Sequence, residues 1–399
     1  MVPPKPWNRD RQGADPGTDV PTVQFGESGG MKIAFRGHPY FGHLYPLMPL
    51  AYAARDAGHE VIFPTTGPFS NRIAALGFCT VEAGILLDEA RRRRFGRPLA
   101  PTADDDNMVW NVVGEYFAEA AVAVATDLRQ LQPELAIDLV VHEDTDLGAA
   151  AAAAAAGIAS VSVAITRSLD PHVVEAFRGP VLRELQVRFG TVPRPDDLVL
   201  DSYPPSLQRP AFRTDPRRVP LRPVPWAEPS LPLPPWVGTR DRKLIFVTLG
   251  TVAGTIETMQ LIIDGLAPLD ADILVATGAN DPAFLAALPD NVHVETFVHQ
   301  ANLVPHIDLM VHHGGGGTTS SAWVHGVPQL VLPDGADRFL NAEAVAASGG
   351  GIELRTPTPE LIATSARLLL DDPAYRRSAG AVRDELAALP EPAAVLSTL

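Results

Sequence analysis

A single cysteine, Cys79, occurs in 399 residues. That scarcity excludes an internal disulfide framework and any zinc or iron–sulfur site built on clustered thiolates, and it suits a reducing compartment. Positive charge is also short: 32 Lys and Arg stand against 47 Asp and Glu, for a formal charge of -15. Such a balance opposes binding to nucleic acid or to an anionic bilayer. No apolar run is long enough to span a membrane, and residues 1–30 lack the apolar centre that a signal peptide needs. The expectation is a cytoplasmic protein without a membrane span and without nucleic-acid partners.

Two nucleotide motifs are missing as well. A P-loop requires Lys after its last glycine, but Gly37 to Gly42 runs into His43 and Gly317 is followed by Thr318. Neither Gly37 to Gly42 nor Thr248-Leu249-Gly250-Thr251 supplies the G-x-G-x-x-G of a dinucleotide fold. An NTPase and a hydride-transfer enzyme are therefore disfavoured.

What is present is the composition of a folded chain, 46% hydrophobic and 20% charged, at a length that predicts two domains of roughly 150 to 200 residues. Residues 1–30, rich in Pro, Gly, Asp and Gln, read as a disordered leader. From Met31 the pattern is strand, glycine turn, amphipathic helix and strand: Lys32–Phe35, then Leu44 to Ala54, then Val61–Phe63. The same order returns with Asp138–His142, the alanine run Ala149–Ala156 and Ile158–Ile165, and again with Leu244–Val247, Thr258–Leu266 and Ile273–Ala276. Between these halves, prolines crowd Tyr203 to Pro235 and exclude regular helix or central strand. The reading is α/β: two doubly wound, parallel-sheet, Rossmann-like domains at 31–215 and 241–399, joined by a Pro-rich linker at 216–240.

One segment stands out for chemistry. An apolar strand, Ile307 to Val311, runs through His312 and His313 into Gly314 to Gly317 and then the hydroxyls of Thr318, Thr319 and Ser320. Glycines let an anion approach the backbone, and the amides of a starting helix point at it. From the glycines alone, an anion cradle and a flexible loop before a helix weigh about evenly.

The flanking residues resemble a family: the actinobacterial, antibiotic-type nucleotide-sugar glycosyltransferases (family 1), which act on enediynes, macrolides and aromatic polyketides. The resemblance covers most of the chain from Met31. It is carried by Phe41-Gly42-His43-Leu44-Tyr45-Pro46, Ala57-Gly58-His59-Glu60-Val61, His312 to Thr318, Gly326-Val327-Pro328 and Pro333 to Ala342. It implies the GT-B fold, in which an N-terminal acceptor-binding domain and a C-terminal donor-binding domain face a cleft. The C-terminal helix is a candidate to pack back on the first domain.

The resemblance also implies roles. His43 is the general base, with an unperturbed pKa near 6.5 suited to activating a hydroxyl. Glu143 is the acid that orients it; relatives often carry Asp there, and Asp144 and Asp146 lie close by. His313 with the amides of Gly316, Gly317 and Thr318 forms the pyrophosphate site, aided by Gly250 and Thr251. Phe297, Val298 and Gln300 hold the base. Asp337 binds the donor sugar, and Arg338 replaces the usual Gln, with pairing to a neighbouring acid favoured over a ligand contact.

The implied reaction is inverting, metal-independent transfer of a deoxysugar from a TDP-sugar or UDP-sugar to a hydroxyl of an apolar natural product, with no cofactor and with a homodimer left open. The alternatives are a nucleotide-sugar 2-epimerase and a non-catalytic nucleotide-sugar-binding auxiliary protein. Asp144-Thr145-Asp146 spells D-x-D but does not sit where this architecture needs a metal. Asp104 to Asp106 reads as a solvated loop and Arg91 to Arg94 as a solvated helix face. Trp110, Tyr116 and Phe117, at helical spacing, read as core first and acceptor pocket second.

Overall fold

The computed structural model describes residues 30–96, 106–195, 197–226, 228, 232–250, 254–286, 288–335 and 337–399. Residues 1–29 of the segment read as a leader, Asp104 and Asp105 of the acidic run, and Thr251 lie outside the described residues. Among the described residues the strands form two sheets, both wholly parallel.

The first sheet comprises β1 (Lys32–Arg36), β2 (Glu60–Thr65), β3 (Cys79–Glu82), β4 (Leu139–Glu143), β5 (Ala159–Ala164), β6 (Leu198–Asp201) and β7 (Arg218–Pro220), in the order β3-β2-β1-β4-β5-β6-β7. The second comprises β8 (Lys243–Thr248), β9 (Ala271–Ala276), β10 (Val292–Glu295), β11 (Leu309–His312), β12 (Gln329–Val331) and β13 (Gly351–Glu353), in the order β10-β9-β8-β11-β12-β13. Central strands such as β4 are buried throughout, as helices on both faces require.

In each sheet the order of the strands reverses between its first and fourth strands. A doubly wound sheet opens a crevice there, beyond the carboxyl ends of the strands. The register pairs Arg36 with His142 in the first sheet and Thr248 with His312 in the second. The turn after β1 therefore meets the end of β4, and the turn after β8 meets the glycines after β11.

Local sequence explains the helices that frame these crevices. Asp146 caps Leu147–Ala156 by accepting from the Ala149 amide, and Gly157, at φ 74°, ends it. Thr255 caps Ile256–Leu266 in the same way. The glycine run is only half a loop, because the helix Gly316–His325 already includes its last two glycines.

Two expectations need correction, while the core-first reading of Trp110, Tyr116 and Phe117 stands. β7 falls inside the stretch read as linker: Arg218–Pro220 pairs with β6, and its proline is accommodated because β7 is an edge strand. Asp106 begins the helix Asp106–Leu135 rather than closing a loop. Tyr116 and Phe117 are buried in an apolar cluster with Phe177 and Val181, while Trp110 packs at its edge, so packing accounts for these aromatics.

The helix Pro392–Leu396 crosses back to the first domain. Val395, Leu396 and Leu399 share a core with Ile33, Leu50 and Val61. Replacing a buried leucine by alanine costs about 2–5 kcal/mol, so Leu396→Ala is expected to lower the thermal midpoint of the first domain although it lies three residues from the chain end. Domain-resolved calorimetry, with Leu361→Ala on an exposed position as control, checks this.

Candidate active site

At the first crevice, β1 leads through Gly37 into the short helix Phe41–Leu44, which carries His43. Glu143 is the last residue of β4 and is fully buried. His43 Nδ1 lies 3.0 Å from Glu143 Oε1. The Thr145 amide donates to Glu143 Oε2 at 2.7 Å, and the Thr145 hydroxyl lies 2.7 Å from Oε1. Burial would raise the Glu143 pKa, but the charge and hydrogen bond of His43, followed by His38 and Thr145, hold it well below the usual carboxylate range. Burial would likewise lower His43, yet the Glu143 charge and hydrogen bond outweigh it and the imidazole ends above 6.5. With Nδ1 engaged by a carboxylate, the tautomer is Nδ1–H, and Nε2 keeps its lone pair.

The neighbouring acids are otherwise occupied. Asp146 pairs with the buried Arg36 at 3.2 Å as well as capping its helix. Asp144 accepts from the Ile165 amide at 3.5 Å, and burial followed by the Glu143 charge pushes its carboxyl up to about 7. Among the described residues no group of three His, Cys, Asp or Glu side chains is arranged to hold a metal ion. Arg91, Arg93 and Arg94 pair with Asp88, Glu89 and Glu115.

His38 carries no motif signal, yet it sits in this crevice. Its ring is buried, its Nε2 is 3.7 Å from Glu143 Oε1, and its edge meets Phe117 at a centroid distance of 4.9 Å. Burial lowers it to about 4 against the pull of Asp146 and Glu143, so it is neutral wherever His43 titrates.

The second crevice holds the other predicted residues. His313 is buried against Gly250 and Gly315, and its Nδ1 has no hydrogen-bond partner. Burial, then Arg338 and His312, hold its pKa well below 6.5. The Thr319 amide is the first to close onto Gly315 O, at 2.9 Å. The amides of Gly316, Gly317 and Thr318 thus form the open first turn, where the helix dipole favours an anion. Thr248, Gly250, Ala276, Gly278, Thr296, Phe297, Val298 and Gln300 line an adjoining recess. Phe297 is half exposed and faces Phe41 of the first domain, with ring centroids 5.4 Å apart. Asp337 precedes the helix Arg338–Ala347 and accepts from Asn341 at 3.2 Å, while Arg338 pairs with Asp334.

A partly exposed His43 paired with a buried Glu143 at one crevice thus stands with an anion-ready helix start at the other. The model described as erythromycin biosynthesis protein CIII-like, C-terminal domain, matches residues 260–399. The L-demethylnoviosyl transferase of Streptomyces niveus is 31% identical over 379 residues, covering 92% of this chain and 97% of that protein. The chain belongs to the actinobacterial antibiotic glycosyltransferases. The crystal structure of the glycosyltransferase SnogD from Streptomyces nogalater superposes on this glycosyltransferase with a TM-score of 0.78 at 28% identity, covering 92% of this chain and 98% of that one. SsfS6 of Streptomyces sp. SF2575, complexed with thymidine diphosphate, gives 0.78 at 23% identity over 92% of this chain and 98% of that one. The fold is GT-B.

Sequence reasoning assigned nothing to His38, Thr145 or Asn341. Asn341 lies inside a motif already singled out, so its position was readable and its partners were not. Gly250 supplies a test of the glycosyltransferase's second crevice. Its φ is +81°, and a Cβ there would lie 2.9 Å from the His313 ring. Gly250→Ala is expected to displace that imidazole and to weaken thymidine diphosphate binding about tenfold or more, the scale of one hydrogen bond to a charged group, measured by isothermal titration.

Proposed function

We propose that this glycosyltransferase moves a deoxysugar from a thymidine diphosphate donor, or its uridine counterpart, to a hydroxyl of an apolar natural-product acceptor, with inversion at the anomeric carbon. The carrying observation is the His43–Glu143 pair at 3.0 Å, placed at one switch point while the glycine-opened helix occupies the other. Relatives support the substrate class: the Streptomyces niveus protein is named an L-demethylnoviosyl transferase, and SsfS6 was crystallised in complex with thymidine diphosphate. Transferase names also favour this reading over a nucleotide-sugar epimerase.

In this mechanism the acceptor hydroxyl approaches His43 Nε2. The imidazole takes its proton as the acceptor oxygen bonds to the anomeric carbon from the face opposite the diphosphate. The bond from that carbon to the diphosphate oxygen breaks, and its electron pair leaves with the nucleoside diphosphate. Glu143 stabilises the imidazolium that forms. The amides of Gly316, Gly317 and Thr318, with the helix dipole, stabilise the growing charge on the leaving group. Asp337 is assigned to the sugar hydroxyls, and Phe297, Val298 and Gln300 to the base.

Incubating the purified chain with TDP-sugars and candidate aglycones is expected to yield a product heavier by one sugar residue, with release of thymidine diphosphate, read by mass spectrometry. His43→Ala should lower kcat by about 10²- to 10⁴-fold, the usual worth of a general base, and leave thymidine diphosphate affinity intact. Transfer at the wild-type rate in that variant would remove the mechanism.

The pH dependence has a definite sign. The base acts when neutral, so kcat/KM should rise with pH through an apparent pKa above 6.5, because His43 is raised. In Glu143→Gln the imidazolium loses its stabilising charge. Its pKa falls, and the rising limb moves to lower pH while the plateau drops.

A further inference from the structure

Asn341, in the helix Arg338–Ala347, is fully buried and satisfies its carboxamide with groups from both domains. Its Oδ1 accepts from the Thr166 hydroxyl at 3.3 Å and the Tyr203 hydroxyl at 3.2 Å, both in the first domain. Its Nδ2 donates to the Gly314 carbonyl at 2.9 Å and to Asp337 Oδ2 at 3.2 Å, both in the second. The orientation is set by chemistry: a flipped amide would place its oxygen against a carbonyl and a carboxylate, which only accept.

The surrounding contacts bring the domains together at the same place. Tyr203 follows β6, yet its ring meets Trp323 at 5.2 Å in an apolar cluster with Val331, Ala342 and Val345 of the second domain. A Cβ at Gly316 would lie 2.5 Å from the Ile165 carbonyl oxygen, so only glycine lets the first domain reach the start of the anion-ready helix. The mechanism above uses neither Asn341 nor its two hydroxyl partners.

We propose that Asn341 is a positioning residue that ties docking of the first domain to the geometry of the donor site, passing contact with Thr166 and Tyr203 to the Gly314 turn and to the Asp337 carboxylate. The proposal rests on the donor-site reading above. With both hydroxyls on Oδ1, the planar carboxamide has one orientation, and its two N–H groups fix the turn carbonyl and one carboxylate oxygen. Without them Oδ1 is a buried acceptor lacking partners, and the carboxamide is no longer held. Donor affinity then depends on residues of the opposite domain that do not touch the donor.

The test uses the full chain with thymidine diphosphate and TDP-glucose as probes, measured by isothermal titration alongside the melting midpoint of the free protein. Thr166→Val and Tyr203→Phe each remove one hydroxyl and little volume. Each is expected to weaken TDP-glucose about fivefold, the scale of one hydrogen bond, and to weaken thymidine diphosphate less. Thr166→Ser, which keeps the hydroxyl, should retain wild-type affinity. In an Asp337→Asn background the extra loss for TDP-glucose over thymidine diphosphate should vanish, because the coupling ends on that carboxylate.

Wild-type affinity for both probes in Thr166→Val and Tyr203→Phe overturns the proposal, and a lowered midpoint with unchanged affinity assigns Asn341 a purely structural role. A wild-type chain that takes up neither probe overturns the donor-site reading and the coupling with it.

Discussion

A carboxylate removed from water has to be compensated, and Glu143 is fully buried at the end of a central strand. Leaving such a charge without its partner costs about 3–5 kcal/mol. The fold meets that demand with His43 and the Thr145 amide and hydroxyl. The same contacts decide the chemistry. They fix the imidazole tautomer, raise its basicity and leave Nε2 with its lone pair. Structural necessity and the arrangement of the proposed general base are one interaction here.

The two histidines of the opposing crevices are tuned in opposite directions by the same physics. Both meet a desolvation penalty against their charged form. At His43 an adjacent carboxylate more than offsets it. At His313 the charge that acts most strongly is Arg338, which adds to it. An imidazole of raised basicity therefore sits in the first domain, and an uncharged imidazole beside the glycine turn of the second. Anion attraction there falls to helix amides and dipole, with the Arg338 guanidinium itself drawn toward Asp334.

Much of this was legible in the residues. Strand–glycine–helix order located both sheets because buried parallel strands read as unbroken apolar runs and glycines mark the turns between elements. The glycine run before Thr318 announced a helix start, although the helix begins two residues earlier than the hydroxyls implied. The prolines after Tyr203 pointed to a connection, but a proline is compatible with an edge strand, and β7 formed inside it. His38 was not legible, since nothing local distinguishes a histidine that packs under a carboxylate from one on a surface.

By itself the sequence determined the period of its elements, the turns that end them and the residue types able to accept a proton or cradle an anion, because these follow from local stereochemistry and side-chain chemistry. Only tertiary structure decided which of three adjacent acids meets His43, since strand register turns Glu143 toward it while Asp146 is claimed by Arg36. It also decided that Asn341 joins two domains, because a carboxamide has four hydrogen-bonding positions and no sequence pattern records who fills them.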